Sequence, residues 1–330
     1  MHECLDLALD GLAHDGRGIG HLQDASRPGE RGLTGFVAGG LPGQVVRCRM
    51  TARKSRFLEA ELVELLRPAD DEAPPICPHA GSRPGVLGCG GCPLQTMRYT
   101  RQLEWKTRLA LDALSRIGGI DADTLDAAWE GILASPERAG YRNRMTFAFG
   151  PGVDGLVLGQ RSRGGADVVG TPDCALLPPG AREILTCAQE AAAQSGLPAW
   201  RASARRGGRS AGGFWRFLTL RQGWLAGETA PRWWAVCLTS PGNPTERAAV
   251  RALGERLLAL GGASRLGAFI HEERGRDDAL PAGERRVLTL DAQGKENPEA
   301  AILRLPLPGR TFALDAASFF QVNTGAAELL

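Results

Sequence analysis

The sequence predicts an α/β protein with an all-β N-terminal domain: a small β-barrel, then a central α/β domain carrying a four-cysteine metal site. Three observations lead there. Residues 1–67 hold short strand-like runs divided by Gly and Pro turns, Trp233–His271 reads as a strand–helix–strand unit, and three thiols crowd into Cys77–Cys92. Several short strands punctuated by turn residues favour a barrel, and an apolar strand–helix–strand run favours a partly parallel sheet.

The barrel strands are expected at Cys4–Leu9, Gly35–Val37, Gln44–Met50 and Leu58–Leu65, separated by turn chemistry such as His14-Asp15-Gly16-Arg17-Gly18 and Leu41-Pro42-Gly43. Arg47, Arg49, Arg53, Lys54 and Arg56 form a run with no acidic residue between them. On a small barrel such a stripe suits phosphate contacts, or equally a strand edge protected by charge. Pro68–Pro75 reads as a linker, so residues 68–92 comprise linker and cysteine loop.

The cysteine loop is CPHAGSRPGVLGCGGC. Two cysteines spaced as in Cys89-Gly90-Gly91-Cys92 can aim both sulfurs at one metal, and the glycines let the backbone approach. Cys77 is a third donor, and Cys174, in the Pro-rich turn TPDCALLPP, is the best candidate for a fourth. Four thiolates suit zinc or an iron–sulfur cluster, and His79 adds a nitrogen donor. Cys4, Cys48, Cys187 and Cys237 sit singly among apolar residues and read as small core hydrophobes.

The central domain is placed at residues 93–315. A helix is expected over Tyr99–Ile117, with Leu103, Ala110, Leu114 and Ile117 on its inner face and Gly118-Gly119 ending it. Met145, Phe147 and Phe149 alternate in a strand that turns at Gly150–Gly155 into a second near Leu156–Gln160, with Arg142, Arg144, Arg161 and Arg163 at the hairpin's ends. A further helix spans Ala181–Ser195. The loop from Trp200 to Arg216 is basic and Gly-rich, and reads as a surface insertion or a nucleic-acid arm.

Asn243, Pro244 and Glu246 mark the start of the next helix as a capping box with Pro at the first position. Val250, Leu253, Leu257 and Leu260 supply its inner face, between strands Trp233–Thr239 and Arg265–Ile270. If the two strands share a sheet, the crossover makes them parallel. No dinucleotide or P-loop fingerprint accompanies them, so the unit is scaffold. Short strands lead on to Ser318-Phe319-Phe320-Gln321-Val322-Asn323 and a helix capped by Thr324, where a further domain begins over 316–330.

The net charge of +2 excludes a globally basic chain, so any nucleic-acid surface must be local. The residues at 1–12 lack a basic, then apolar leader, and no apolar run reaches membrane-spanning length. A cytoplasmic protein is expected.

Taken together, HDGRGIG, FVAGGLPGQVV, the CGGC loop, YRNRMTFAFG and SFFQVN resemble the bacterial RNA uracil-C5 methyltransferases, which make 5-methyluridine in 23S ribosomal RNA and related substrates. The resemblance implies an N-terminal TRAM domain, an oligonucleotide-binding-type barrel that binds RNA. It also implies a [4Fe–4S] cluster on Cys77, Cys89, Cys92 and Cys174, with a longer Cys77-to-Cys89 gap than is common in that family. The resemblance implies that Gln321 matches a position that touches S-adenosylmethionine, and it sets Phe319 and Phe320 near the flipped-out uridine or the cofactor, or else in a strand-to-helix turn with aromatic packing. The implied chemistry is thiolate attack at uracil C6, methyl transfer to C5 and removal of the C5 proton. A catalytic domain should follow SFFQVN, and the chain is expected to end ahead of it and so to lack the reacting residues, working as a monomer that binds structured RNA. The alternative from another class is a non-catalytic RNA-binding protein with a structural iron–sulfur or zinc site.

Overall fold

A computed structural model describes residues 4–22, 32–80, 88–152, 155–163, 165, 167–201, 212–275 and 285–330. The chain divides into two compact units, residues 1–134 with 162–166, and residues 135–161 with 167–330. The centre of the expected basic loop and residues 81–87 of the cysteine loop lie outside the described residues.

In the first unit, β1 (Cys4–Leu12), β2 (Gly18–His21), β3 (Thr34–Ala38), β4 (Val45–Arg53) and β5 (Phe57–Arg67) close into a barrel in the order β1-β2-β3-β5-β4. β3 and β5 pair in parallel, while β1 closes the barrel against β4 antiparallel. Strict alternation in β1 sends Leu5, Leu7 and Leu9 inward, where they meet Val37, Val46, Cys48 and Leu58. The same alternation turns Cys4 outward, so it is exposed and not the core residue expected.

Helix α1 (Tyr99–Arg116) forms where expected, but it buries a different face. Trp105 packs with Met97 against Leu12 and Leu41 of the barrel, whereas Ile117 is 83% exposed and Leu114 is exposed. One large aromatic on a neighbouring stripe outweighs several scattered aliphatics, because it removes more apolar area from water. A second, short helix, α2 (Ala122–Ala128), is capped by Asp121, whose carboxylate accepts from the Thr124 backbone at 2.9 Å.

The second unit is built on a seven-stranded sheet. Its strands are β6 (Arg144–Gly152), β7 (Gly155–Arg161), β8 (Val168–Gly170), β9 (Trp215–Gly223), β10 (Arg232–Thr239), β11 (Leu266–Glu273) and β12 (Arg285–Asp291), in the order β12-β11-β10-β9-β6-β7-β8. β10 and β11 pair in parallel, as a crossover helix requires, and the other pairs are antiparallel. That helix, α4 (Pro244–Leu258), starts with the expected capping box: Asn243 accepts from Glu246 N–H and Glu246 reaches back to Asn243. With α3 (Ala181–Gln194) it covers one face of the sheet, over a core that includes Phe147, Trp215, Trp233, Leu253 and Phe269. A glycine is needed inside α4, because a Cβ at Gly254 would come within 2.4 Å of the Phe269 ring.

The opposite face is covered by a hairpin of β13 (Ile302–Leu307) and β14 (Arg310–Asp315). Leu303 and Leu305 meet Trp234, Val236, Ala268 and Ile270 there. The last helix, α5 (Thr324–Leu329), is capped by Asn323, which accepts from Ala326 N–H at 3.0 Å, and not by Thr324. Asn is the stronger cap of the two, and the Thr324 hydroxyl lies 2.9 Å from Asn143 Nδ2 and accepts from it. Among the described residues, no helix is long and apolar enough to cross a membrane.

Candidate functional site

The cysteine loop is drawn together by its backbone. Cys77 N–H donates to Gln95 Oε1 at 2.9 Å, Ala80 N–H to the Cys77 carbonyl at 3.1 Å, and Cys89 N–H to the His79 carbonyl at 3.0 Å. The Gly91 amide then donates to Cys89 Sγ at 3.4 Å, the turn expected of a CxxC in which glycine leaves the sulfur uncovered. Cys77 and Cys89 are buried and Cys92 is half-buried. Burial pushes the Cys89 thiol above its ordinary pKa and the nearby Cys77 adds to that, while the Gly91 amide and Arg163 pull it down. Without a metal, Cys89 is held as the thiol.

Cys174 lies in the second unit, in the turn after β8, with its Sγ 3.8 Å from Met145 Sδ. Among the described residues, no group of three or more His, Cys, Asp or Glu side chains has metal-holding geometry. The loop does carry three cysteine sulfurs on one short segment, donors of the kind a metal–thiolate centre uses. Cys77 and Cys89 feel each other's charge, an amide donates to one sulfur, and the cationic Arg163 reaches Cys89 and Cys92. The Gly91 amide and Arg163 favour the Cys89 thiolate, whereas burial and the Cys77 charge oppose it until a bound cation compensates them.

The basic stripe on β4 is less bare than its sequence. Arg47 makes a fork with Asp6 of β1 at 2.9 and 3.1 Å and a further bond to Glu64 of β5 at 2.9 Å. Arg49 pairs with Glu61 of β5. The acids come from the two strands flanking β4, in register opposite the arginines, so a reading of β4 alone does not see them. Lys54 and Arg56 are different. They lie in the exposed β4–β5 turn, next to Phe57, whose ring meets Phe36 edge-on at 5.5 Å. Arg17 stacks over Phe36 at 5.0 Å. Cationic tips beside half-buried aromatic rings are the chemistry of a single-strand binding surface.

The segment carrying Gln321 is pinned from beneath. Arg221, fully buried in β9, donates to the carbonyls of Asp315, Ala316 and Ser318. Arg144 donates to the Ala317 carbonyl at 3.3 Å, and Asn143 Nδ2 to the Gln321 carbonyl at 2.9 Å. Burial, with the neighbouring Arg144, pulls the Arg221 pKa down to about 10, still charged at neutral pH. With its backbone held, the segment presents Phe319, 79% exposed, and the exposed Gln321 side chain, while Phe320 packs on Phe312 at 5.2 Å. The sequence reading passed over Arg221, whose signal was an arginine closing the largely apolar run Phe217-Leu218-Thr219-Leu220 within a strand.

Over 330 residues the chain is 33% identical to a Nitratidesulfovibrio vulgaris protein named as an uncharacterized RNA methyltransferase, covering 99% of this chain and 62% of that one. Over 186 residues it is 34% identical to the 23S rRNA (uracil(1939)-C(5))-methyltransferase RlmD of Alkalilimnicola ehrlichii, covering 56% of this chain and 38% of that enzyme. The chain is thus similar in sequence to proteins named as RNA methyltransferases, one of them a uracil-C5 enzyme. The solved Pyrococcus abyssi tRNA (uracil-54, C5)-methyltransferase, in complex with S-adenosyl-L-homocysteine, shares its fold with a TM-score of 0.62 at 20% identity, over 98% of this chain and 63% of that one. No family model matches the chain. The chain thus spans less than two thirds of the length of these relatives. The expectation that it breaks off ahead of a catalytic domain is not borne out by these matches, and where the chain ends decides nothing about activity.

Proposed function

We propose that this chain serves in S-adenosylmethionine-dependent methylation of uracil C5 in structured RNA, 23S rRNA being the favoured substrate. The observation that carries this reading is the 33% identity to an RNA methyltransferase along 330 residues. The closed five-stranded barrel supports it as a TRAM-type RNA-binding domain over residues 1–67, followed by the cysteine loop to 92, the central domain to 315 and the start of the next domain. Cys77, Cys89, Cys92 and Cys174 are the proposed ligands of a [4Fe–4S] cluster, with zinc the alternative metal. When bound, such a cluster supplies cross-linking of the loop and needs no redox role. The exposed Gln321 side chain is the proposed contact to S-adenosylmethionine, held in place by Asn143 and Arg221. The working form is a cytoplasmic monomer.

RNA affinity measured across a salt series tests the reading. Binding is expected to weaken as salt rises, with log K falling by roughly 0.7–0.9 per phosphate contact for each unit of log salt. Of the five cationic residues on β4 and its turn, Lys54 and Arg56 carry the contacts. Changing both to Ala should flatten the slope by about 1 to 2 units. Changing Arg47 and Arg49 should matter less, since Asp6, Glu61 and Glu64 already neutralise them. Equal loss in both pairs would remove the turn from its special role, and absence of binding at low salt would remove the function.

A further inference from the structure

Arg163 stands in the turn between β7 and β8 and belongs with the first unit. Its N–H donates to the Gly88 carbonyl at 3.2 Å, and its neighbour Ser162 makes a strand-like bridge with Cys89. Two adjacent backbone contacts therefore deliver this side chain to the cysteine loop. Its Nη2 is shut off from solvent and has no hydrogen-bond partner among the described residues. Among the described residues, the groups whose negative charge would offset it are the sulfurs of Cys89 and Cys92 once deprotonated, and not a carboxylate. A shielded cation without an anion is costly, and stable folds leave few such groups unexplained.

We infer that Arg163 is the counter-ion of the metal–thiolate centre, its unpartnered Nη2 donating a hydrogen bond to a metal-bound sulfur. The inference rests on the cluster reading above and adds to it a residue outside the cysteine set. A centre bound by the cysteine thiolates of this loop carries negative charge, and Arg163 is placed to offset it where water cannot. Hydrogen bonds to the sulfurs and the surrounding charge are the means by which a protein stabilises such a cluster. A guanidinium is suited to the task, because it stays charged when desolvated and presents several donors in a fixed plane.

The test compares wild type, Arg163→Met and Arg163→Lys as full chains, metal-free and after anaerobic reconstitution with ferrous iron and sulfide. Arg163→Met is expected to retain less iron and sulfide per chain and to bleach several-fold faster under an iron chelator, with Arg163→Lys restoring much of the difference. In the metal-free state the effect should vanish or reverse, since removing an uncompensated cation leaves the unfolding temperature unchanged or higher. A merely structural arginine would weaken both states alike. Arg163→Met that loads and bleaches as wild type overturns the inference, as does a metal-free variant that melts lower or fails to fold. Wild type that takes up no iron and sulfide overturns the cluster reading itself, a result distinct from both.

Discussion

Acidification from the ordinary histidine pKa of 6.5 down to about 4 is expected to cost the second unit roughly 3 kcal/mol through His271 alone. His271 is 1% exposed on β11, with its Nε2 2.9 Å from the Thr239 hydroxyl. That hydroxyl spends its single proton on the Ser240 carbonyl at 2.8 Å, so it accepts from His271, which is therefore the neutral Nε2–H tautomer. Burial is the main cause of the depressed pKa; Arg247 lowers it further and Glu273 opposes. The sign follows. The unfolded chain binds a proton in this window and the folded one does not, so the stability is complete above 6.5 and lost as pH falls towards 4. Glu273, held below its ordinary pKa by Arg247 and Gly242 N–H against the effect of burial, adds loss in the same direction at lower pH. Thermal melts of wild type and His271→Gln across this range check it: the variant should show a shallower acid limb, and superimposable limbs would contradict the assignment.

Trp234→Ala is expected to remove about 4 kcal/mol, from the loss of a large buried ring plus an unpaired carbonyl. Trp233 and Trp234 are neighbours on β10 and so point to opposite faces of the sheet. Trp233 joins the helix-covered core, while Trp234 joins the core beneath the β13–β14 hairpin. Its Nε1 donates to the Ala300 carbonyl at 2.8 Å, and its ring fills the space that Gly267 leaves, where a Cβ would come within 2.6 Å. No smaller side chain reaches both. Urea midpoints should place Trp234→Phe between wild type and Trp234→Ala. A loss below about 1 kcal/mol for the alanine variant would mean that the hairpin side adds little to the fold.

What was legible in the sequence was local chemistry. Asn243, Pro244 and Glu246 announce the start of α4 because a capping box is closed within four residues. The apolar residues on either side then require a parallel pair, which β10 and β11 form. The CGGC turn was legible for the same reason, as Gly91 N–H and Cys89 Sγ meet across two residues. What was not legible depends on partners remote in sequence. Arg47 and Arg49 have no acid beside them along β4 and acquire Asp6, Glu61 and Glu64 only through barrel register. The buried face of α1 is chosen by Leu12 and Leu41, far upstream, which accept Trp105 and leave Ile117 in water. Arg221 illustrates the same limit at the candidate site. Its carbonyl partners lie more than ninety residues on, so a charge inside an apolar strand has no local reason.

The central claim, that this chain grips RNA in the service of uracil methylation, is tested most directly by ultraviolet crosslinking to a uridine-containing structured RNA, with the crosslinked peptides mapped by mass spectrometry. Uridine couples efficiently to aromatic and basic side chains it touches, so the map reports contact and not mere affinity. The account predicts adducts in the β4–β5 turn, at Lys54, Arg56 or Phe57 beside the Phe36 ring, and at the exposed Phe319 next to Gln321. Adducts confined to other surfaces, such as the outer face of α3, or no adducts above those of a protein that does not bind RNA, would contradict it.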